Sequence, residues 1–91
     1  MHLVVGFARV MFAHFLAALY RSMRFNWIGR RVVRLCCAAF TAGAGLDDAA
    51  IEVVQGMGDD GIRLLKDESE RRGERSVAAL MLKMLRTADD V

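Results

Sequence analysis

The sequence contains no proline, and residues 1–46 contain no aspartate, glutamate or lysine. Proline interrupts helices more strongly than any other residue, so its absence beside many alanines, leucines and arginines predicts helix along the chain. The two cysteines, Cys36 and Cys37, are adjacent. Neighbouring cysteines rarely bridge each other, and two ligands do not complete a zinc site. We therefore interpret both as small core residues in a reducing compartment.

The charges are divided unevenly between the two halves. Residues 1–46 carry six arginines, whereas residues 47–91 carry all eleven acids against seven bases. Apolar, arginine-containing sequence without acids is suited to an anionic partner: an acidic protein, nucleic acid or lipid headgroups. It also resembles a mitochondrial transit peptide, although we expect this half to stay in the folded protein. The 55% hydrophobic content predicts that a partner covers part of the surface.

The sequence offers no catalytic constellation. We find no glycine-rich loop after a strand, no nucleophile with a plausible base, and no ligand set around His2 or His14. The protein is therefore predicted not to be an enzyme and to hold no metal or cofactor of its own. Arg9 and His14 interrupt the apolar first twenty residues, so we expect no membrane span, while an amphipathic helix on a membrane surface remains open.

Apolar spacing predicts two helices in the first half. The first extends from Leu3 to about Arg24, and its apolar stripe is so broad that we expect it to be covered on more than one side. The second begins near Trp27 with Asn26 as its cap. Its apolar face is predicted to oppose a basic face of three arginines: Arg30, Arg31 and Arg34. The segment 41–45, with two glycines, predicts a turn.

The second half predicts two further helices. Asp47 and Asp48 begin the third, because acids favour a helix N-terminus. Its three glycines at 56, 58 and 61 predict a bend or the close approach of a neighbour. The polar stretch 67–75 is interpreted as a solvated helix end with Gly73 as the stop, and Ser76 opens a short fourth helix. We predict domain boundaries of 1–72 for the bundle and 73–91 for a C-terminal extension.

Leu19-Tyr20-Arg21, at the end of the first helix, resembles the signature of the LYR-motif (complex 1 LYR-like) family of small mitochondrial proteins. The family pattern continues here with the basic second helix, Phe40, and Leu46 before Asp47-Asp48. It then runs through Ile51, Val54 and Gly58 to Leu64-Leu65, so the resemblance covers about half the chain. Two positions depart from the pattern: a base comes one residue early at Arg24, and Thr41 stands where the family tends to have a base.

The resemblance implies an all-α fold: an antiparallel three-helix LYR-type bundle, here with a short fourth C-terminal helix. It implies an adaptor that binds the mitochondrial acyl carrier protein and takes that partner's acyl-phosphopantetheine between its helices. The pair would serve as an accessory or assembly subunit of a respiratory complex, a mitochondrial ribosome or an iron–sulfur assembly complex. The location would be the mitochondrial matrix or the matrix face of the inner membrane. The residues expected to bind the carrier are Leu19, Tyr20, Arg21, Arg24, Arg30, Arg31, Arg34 and Phe40.

The arginine content supports the same expectation independently, because planar guanidinium groups bind carboxylates and phosphates in a bidentate way. Three alternatives stay open at this point. A ribbon-helix-helix DNA-binding protein would need a strand over residues 51–57, which the spacing does not favour, and sequence-specific nucleic-acid binding is not expected. A peripheral membrane protein would use residues 1–25. A fragment of an anti-apoptotic bundle is suggested by residues 25–30, where Ile28 breaks the pattern.

Overall fold

The computed structural model describes residues 2–41 and 45–89, with side chains described for 4–41 and 45–86. This part of the chain is all-helical and contains five helices and no strand. The helices are α1 (His2–Met23), α2 (Asn26–Phe40), α3 (Leu46–Gly56), α4 (Asp59–Arg72) and α5 (Val77–Asp89). The prediction of an all-α fold is confirmed. Residues 51–56 belong to α3 and Met57 lies in the turn after it, so this segment does not supply the strand that a ribbon-helix-helix protein requires.

Helix α2 is the centre of the fold, because it packs against each of the other four helices. Its buried face is the predicted apolar one: Ile28, Gly29, Val32, Val33, Cys36 and Ala39. The predicted opposition of this face to three exposed arginines is confirmed. The predicted cap is wrong, since α2 begins at Asn26 itself and Phe25 occupies the cap position without a side-chain hydrogen bond.

The connection between α1 and α2 is only two residues long. Arg24 has a φ of 58° there, in the left-handed region that a non-glycine residue rarely adopts. Its N–H donates to the Tyr20 carbonyl at 2.6 Å, which closes the last turn of α1. The left-handed residue therefore lets the chain reverse within two residues. Of the predicted turn over 41–45, residues 42–44 lie outside the described residues, and Gly45 has a φ of 84°.

The predicted third helix is divided into α3 and α4. Gly58 has a φ of 68°, so the chain turns at this residue. Gly61 then comes so close to α3 that a Cβ at this position would collide with the Val54 carbonyl oxygen. The expected close approach is confirmed at Gly61, while in place of the expected bend the helix is interrupted at residues 57 and 58. The division into two helices, rather than one bent helix, was not predicted.

The end of α4 and the start of α5 follow the predicted signals. Gly73 ends α4 with a φ of 105°, and the Ser76 hydroxyl accepts a hydrogen bond from the Ala79 N–H at 3.3 Å, as an N-cap does. Helix α5 contributes Ala78, Met81, Leu82 and Leu85 to the same buried core as the other helices. The segment 73–91, predicted as an extension, therefore includes a helix that packs into this core.

Candidate functional site

The first cluster of polar and charged side chains joins the end of α1 to the start of α4. The Tyr20 hydroxyl donates to Asp60 Oδ2 at 3.0 Å, and Arg24 Nη1 lies 3.7 Å from the same oxygen. Arg63 Nη2 is 3.6 Å from the other oxygen, Oδ1. Tyr20 itself is buried, with 3% of its surface exposed. One carboxylate therefore joins two of the predicted partner-binding residues, the buried Tyr20 and the exposed Arg24.

The packing around Tyr20 explains why it lies inside. Gly29 faces the tyrosine ring, and a Cβ at Gly29 would be 2.5 Å from Leu64 Cδ1 and 3.1 Å from Tyr20 Cε2. The missing side chain lets α1, α2 and α4 converge at this point. Burial, followed by the hydrogen bond to Asp60, raises the pKa of the Tyr20 hydroxyl above its usual 10.0. Tyr20 is thus a neutral donor at physiological pH.

The second cluster surrounds Glu68 on α4, whose side chain is almost fully buried. Arg72 Nε donates to Glu68 Oε1 at 3.0 Å, while Arg34 Nε and Arg71 Nη1 each lie 3.9 Å from Oε2. A buried carboxylate is costly unless it is paired, and three guanidinium groups pair this one. The interpretation of residues 67–75 as solvated is therefore wrong at Glu68.

Sequence reasoning missed the Glu68 cluster, although two signals were present. Gly61, Leu64, Leu65 and Glu68 follow the i, i+3, i+4, i+7 spacing of one buried helix face. Arg71 and Arg72 stand three and four residues after Glu68, where helix spacing brings opposite charges together. The spacing identifies the acid as buried and paired along α4. It cannot show the third partner, Arg34, because that residue comes from α2.

The exposed side of α2 carries what we call the arginine stripe: Trp27, Arg30, Arg31 and Arg34. These four residues line one shallow cleft, and Trp27 is 61% exposed. Arg34 contacts Glu68, whereas Arg30 and Arg31 form no ion pair with any described acidic residue. The stripe therefore presents positive charge outward beside an exposed aromatic ring.

A third surface, the outer face of α1, consists of exposed apolar side chains: Val4, Phe7, Met11, Phe12 and Phe15. The opposite side of α1 is buried through Val10, Ala13, Leu16, Ala17 and Tyr20. The expectation that α1 is covered on more than one side is wrong within the described chain. Because α1 is apolar all round, spacing alone does not select which side faces the core. A contiguous apolar face of this kind marks a surface for a partner or a membrane.

Helix α1 also bears on the membrane question. Residues Val4–Met23 are long and apolar enough to cross a bilayer by length and composition, with a third of this window buried in the fold. The expectation that Arg9 and His14 prevent this is therefore wrong on those two criteria. Core helices and N-terminal signal sequences satisfy the same criteria, so length and composition do not assign a membrane span.

The predicted site residues fall into three groups. Arg21, Arg30 and Arg31 are exposed and form no ion pair within the described residues. Arg24 and Arg34 are exposed but contact Asp60 and Glu68. Leu19, Tyr20 and Phe40 are turned inward: Tyr20 belongs to the core, and the other two are half-buried against it. The structure brings Arg30, Arg31 and Arg34 together in one cleft, and it brings Tyr20 and Arg24 together at Asp60.

The cysteines are free thiols. Burial raises the pKa of Cys36 to about 12 and that of Cys37 to about 11. Both are therefore neutral and weakly nucleophilic at physiological pH. Among the residues that the structure describes, no group of three or more His, Cys, Asp or Glu side chains is arranged to hold a metal ion.

Comparison of the chain with protein-family models, with curated proteins and with solved structures gives no match.

Proposed function

We propose that this protein is a mitochondrial adaptor of the LYR type that binds an acyl carrier protein and attaches it to a larger complex. In this proposal α1, α2 and the α3–α4 segment form the antiparallel three-helix arrangement, with α5 as the additional helix. The observation that carries the proposal is the arginine stripe, in which Arg30 and Arg31 present guanidinium groups that no described acid pairs, in a half of the chain without acids. Such a surface steers and binds an acidic protein.

The three groups of predicted site residues have different roles in this proposal. Arg21, Arg30 and Arg31 contact the carrier directly, since their charges are not neutralised within the described chain. Tyr20 and Arg24 position the end of α1 through Asp60. Leu19 and Phe40 support the helices that carry the charges. The LYR segment then acts partly through internal packing and partly through its exposed arginine.

The carrier's acyl chain would have to enter an interior that side chains fill. Ile28, Val32, Val33 and Leu65 are among the largest fully buried side chains. Entry of an acyl chain therefore requires the helices to separate. The backbone of α1 packs against α2 and α3 but not against α4 or α5, and α1 reaches α4 through the Tyr20–Asp60 hydrogen bond. We propose that the chain enters beside α1.

The outer face of α1 suits the attachment to a larger complex. Its exposed phenylalanines, Phe7, Phe12 and Phe15, provide large apolar contacts, and aromatic residues are enriched in protein interfaces. The face occupies residues 4–15 of the 22-residue helix, a length of about 17 Å. An adaptor needs two surfaces, and here one is cationic while the other is apolar.

A charge-reversal experiment tests carrier binding. Arg30→Glu with Arg31→Glu is expected to weaken binding of purified mitochondrial acyl carrier protein by at least about tenfold, measured by calorimetry. Arg34 is left unchanged because a glutamate there would face the buried Glu68. The matched control is Lys66→Glu with Arg86→Glu, which makes the same charge change at exposed positions on α4 and α5. Intact mass of the co-purified carrier identifies any acyl group.

Equal binding by the two double variants and the unaltered protein would remove the proposal. Equal loss in both would show that net charge, rather than the arginine stripe, attracts the carrier. Arg21→Ala provides a milder test at the end of α1. It removes a single exposed guanidinium, so a smaller loss of affinity is expected there than in the double variant.

A peripheral membrane protein is the second candidate, and the outer face of α1 favours it. Exposed phenylalanines beside arginines are typical of helices that lie in the membrane interface. Flotation with vesicles that contain anionic lipid is then expected to exceed flotation with neutral vesicles. Equal flotation with both vesicle types would show that the arginines do not contribute.

A further inference from the structure

A cleft of about 450 Å³ lies between α2, the end of α4 and the start of α5. Arg34, at one end of the arginine stripe, lines this cleft. Trp27, at the other end of the stripe, does not. The polar residues that line it are Arg34, Thr41, Glu68, Arg72, Arg75 and Ser76. Cleft volumes of roughly 300–1,000 Å³ are typical of small-molecule sites.

The charges in this cleft do not balance. Three guanidinium groups, from Arg34, Arg72 and Arg75, line it together with one carboxylate, Glu68. The thiol of Cys37, which also lines the cleft, is neutral at physiological pH because burial raises its pKa to about 11. The cleft therefore holds an excess of two positive charges, which is the charge that a phosphate monoester dianion neutralises.

The geometry leaves donors free for such an anion. Arg34 and Arg72 each contact Glu68 through Nε, so neither uses its Nη nitrogens in that contact. Glu68 thereby fixes two guanidinium groups, one from α2 and one from α4, at the wall of the cleft. Arg75 forms no ion pair with any described acidic residue. Five donors on each guanidinium allow it to pair with one anion and still bind another.

The start of α5 adds backbone donors. Ser76, Val77 and Ala78 line the cleft. The Ser76 N–H already donates to the Gly73 carbonyl at 3.2 Å, whereas Val77 and Ala78 carry the first N–H groups of the helix, which have no intrahelical acceptor. These groups, with the positive end of the helix dipole, favour an anion. Here they occur beside three guanidinium groups that come from outside α5, so the site does not depend on the helix end alone.

We propose that this cleft binds a phosphate monoester. A tetrahedral dianion accepts hydrogen bonds from several directions, which suits guanidinium groups on α2, α4 and the α4–α5 connection together with the α5 amides. A carboxylate is planar and carries one charge, so it accepts hydrogen bonds from fewer of these guanidinium and amide donors. The apolar part of the wall, Cys37, Ala38 and Val77, leaves room for an organic group beside the phosphate. This inference does not depend on carrier binding, because it concerns the chain alone.

The test is a titration of the full chain with inorganic phosphate and with glycerol 3-phosphate at constant ionic strength, followed by amide NMR. Saturable shifts are expected at Val77 and Ala78. Arg75→Gln is expected to raise the dissociation constant about tenfold, as loss of a charged hydrogen bond does. Arg71→Gln is the matched control, since Arg71 also contacts Glu68 and carries the same charge but does not line the cleft.

Shifts that do not saturate, or an equal loss in Arg75→Gln and Arg71→Gln, would overturn the proposal. Acetate is expected to bind more weakly than phosphate, and equal binding would contradict the choice of a dianion. A phosphate monoester is also the headgroup of phosphatidic acid, so a separate titration uses vesicles that contain this lipid. Binding to the vesicles without binding to glycerol 3-phosphate would support the phosphate monoester of the lipid headgroup as the ligand, and binding to neither would overturn the proposal.

Discussion

The acid-free half of the chain and the half that follows it differ in how their charged side chains are placed. In α1 and α2, Arg21, Arg30 and Arg31 point outward without an internal partner. On α4, two carboxylates, Asp60 and Glu68, gather guanidinium groups from within the protein. Each of these two carboxylates also contacts an arginine of the first half. The comparison shows that the ion pairs of the fold are centred on two α4 carboxylates. The arginines that these carboxylates do not contact remain available at the surface.

The largest expected effect comes from removing the buried charge of the second half. Glu68→Gln keeps the shape of the side chain but leaves three arginines without their carboxylate. We expect the free energy of unfolding to fall by about 2–3 kcal/mol, which is below the roughly 3–5 kcal/mol for a fully buried pair because the exposed arginines can turn to water. Urea unfolding measures this loss.

The matched control for Glu68 is Glu70→Gln. Glu70 is exposed on the same helix, and exposed substitutions usually change stability by about 0.5 kcal/mol or less. Similar losses in the two variants would show that Glu68 contributes no more than a surface acid. That result would contradict the proposal that the paired carboxylates of α4 stabilise the fold.

The next effect comes from forcing charge into the interior of the first half. Cys36 and Cys37 have folded pKa values of about 12 and about 11, above the ordinary 9.0. A raised pKa means that the folded state holds the thiol proton more tightly than the unfolded state does. The stabilisation of the folded state by these protonated thiols is complete below pH 9, and it is lost as pH rises towards 11–12. Under reducing conditions we expect the unfolding free energy to fall by about 2 kcal/mol between pH 8 and pH 10.

The double variant Cys36→Ala with Cys37→Ala isolates this contribution. Its starting stability is lower because Cys36 packs in the core, but its alkaline loss is expected to be smaller than that of the unaltered protein. The comparison uses the slope of unfolding free energy against pH, so the difference in starting stability does not affect it. Identical slopes would show that the thiols titrate alike in both states.

The smallest effect on stability is expected at the outer face of α1. Phe7→Gln with Phe15→Gln changes side chains that are 60% and 64% exposed, so the unfolding free energy should change by about 0.5 kcal/mol or less. Binding of a hydrophobic dye, or flotation with anionic vesicles, should fall. The inward-facing Leu16→Gln, on the same helix, is the contrasting variant and is expected to destabilise the fold strongly. Equal stability of the two variants would contradict the assigned sides of α1.

The helices follow from particular sequence signals, whereas the two acidic clusters also depend on contacts between helices that no local signal encodes. Gly73 predicted the end of α4 and Ser76 the start of α5. The apolar spacing of α2 distinguished its core face from the face with Arg30, Arg31 and Arg34. The sides of α1 could not be read, because Phe7 and Leu16 are equally apolar. Nor could the position of Tyr20, since its hydroxyl is satisfied by Asp60, forty residues later.

The sequence by itself determined that this chain is helical, because it lacks proline and repeats apolar residues at helical spacing. It also determined that its first half is cationic, because no acid occurs there. Only the tertiary structure decided which arginines of the first half are paired, since Asp60 and Glu68 are distant in the sequence from the Arg24 and Arg34 that they contact. It also decided which side of α1 stays exposed, because a helix that is apolar all round acquires an inside only when α2 and α3 pack against it.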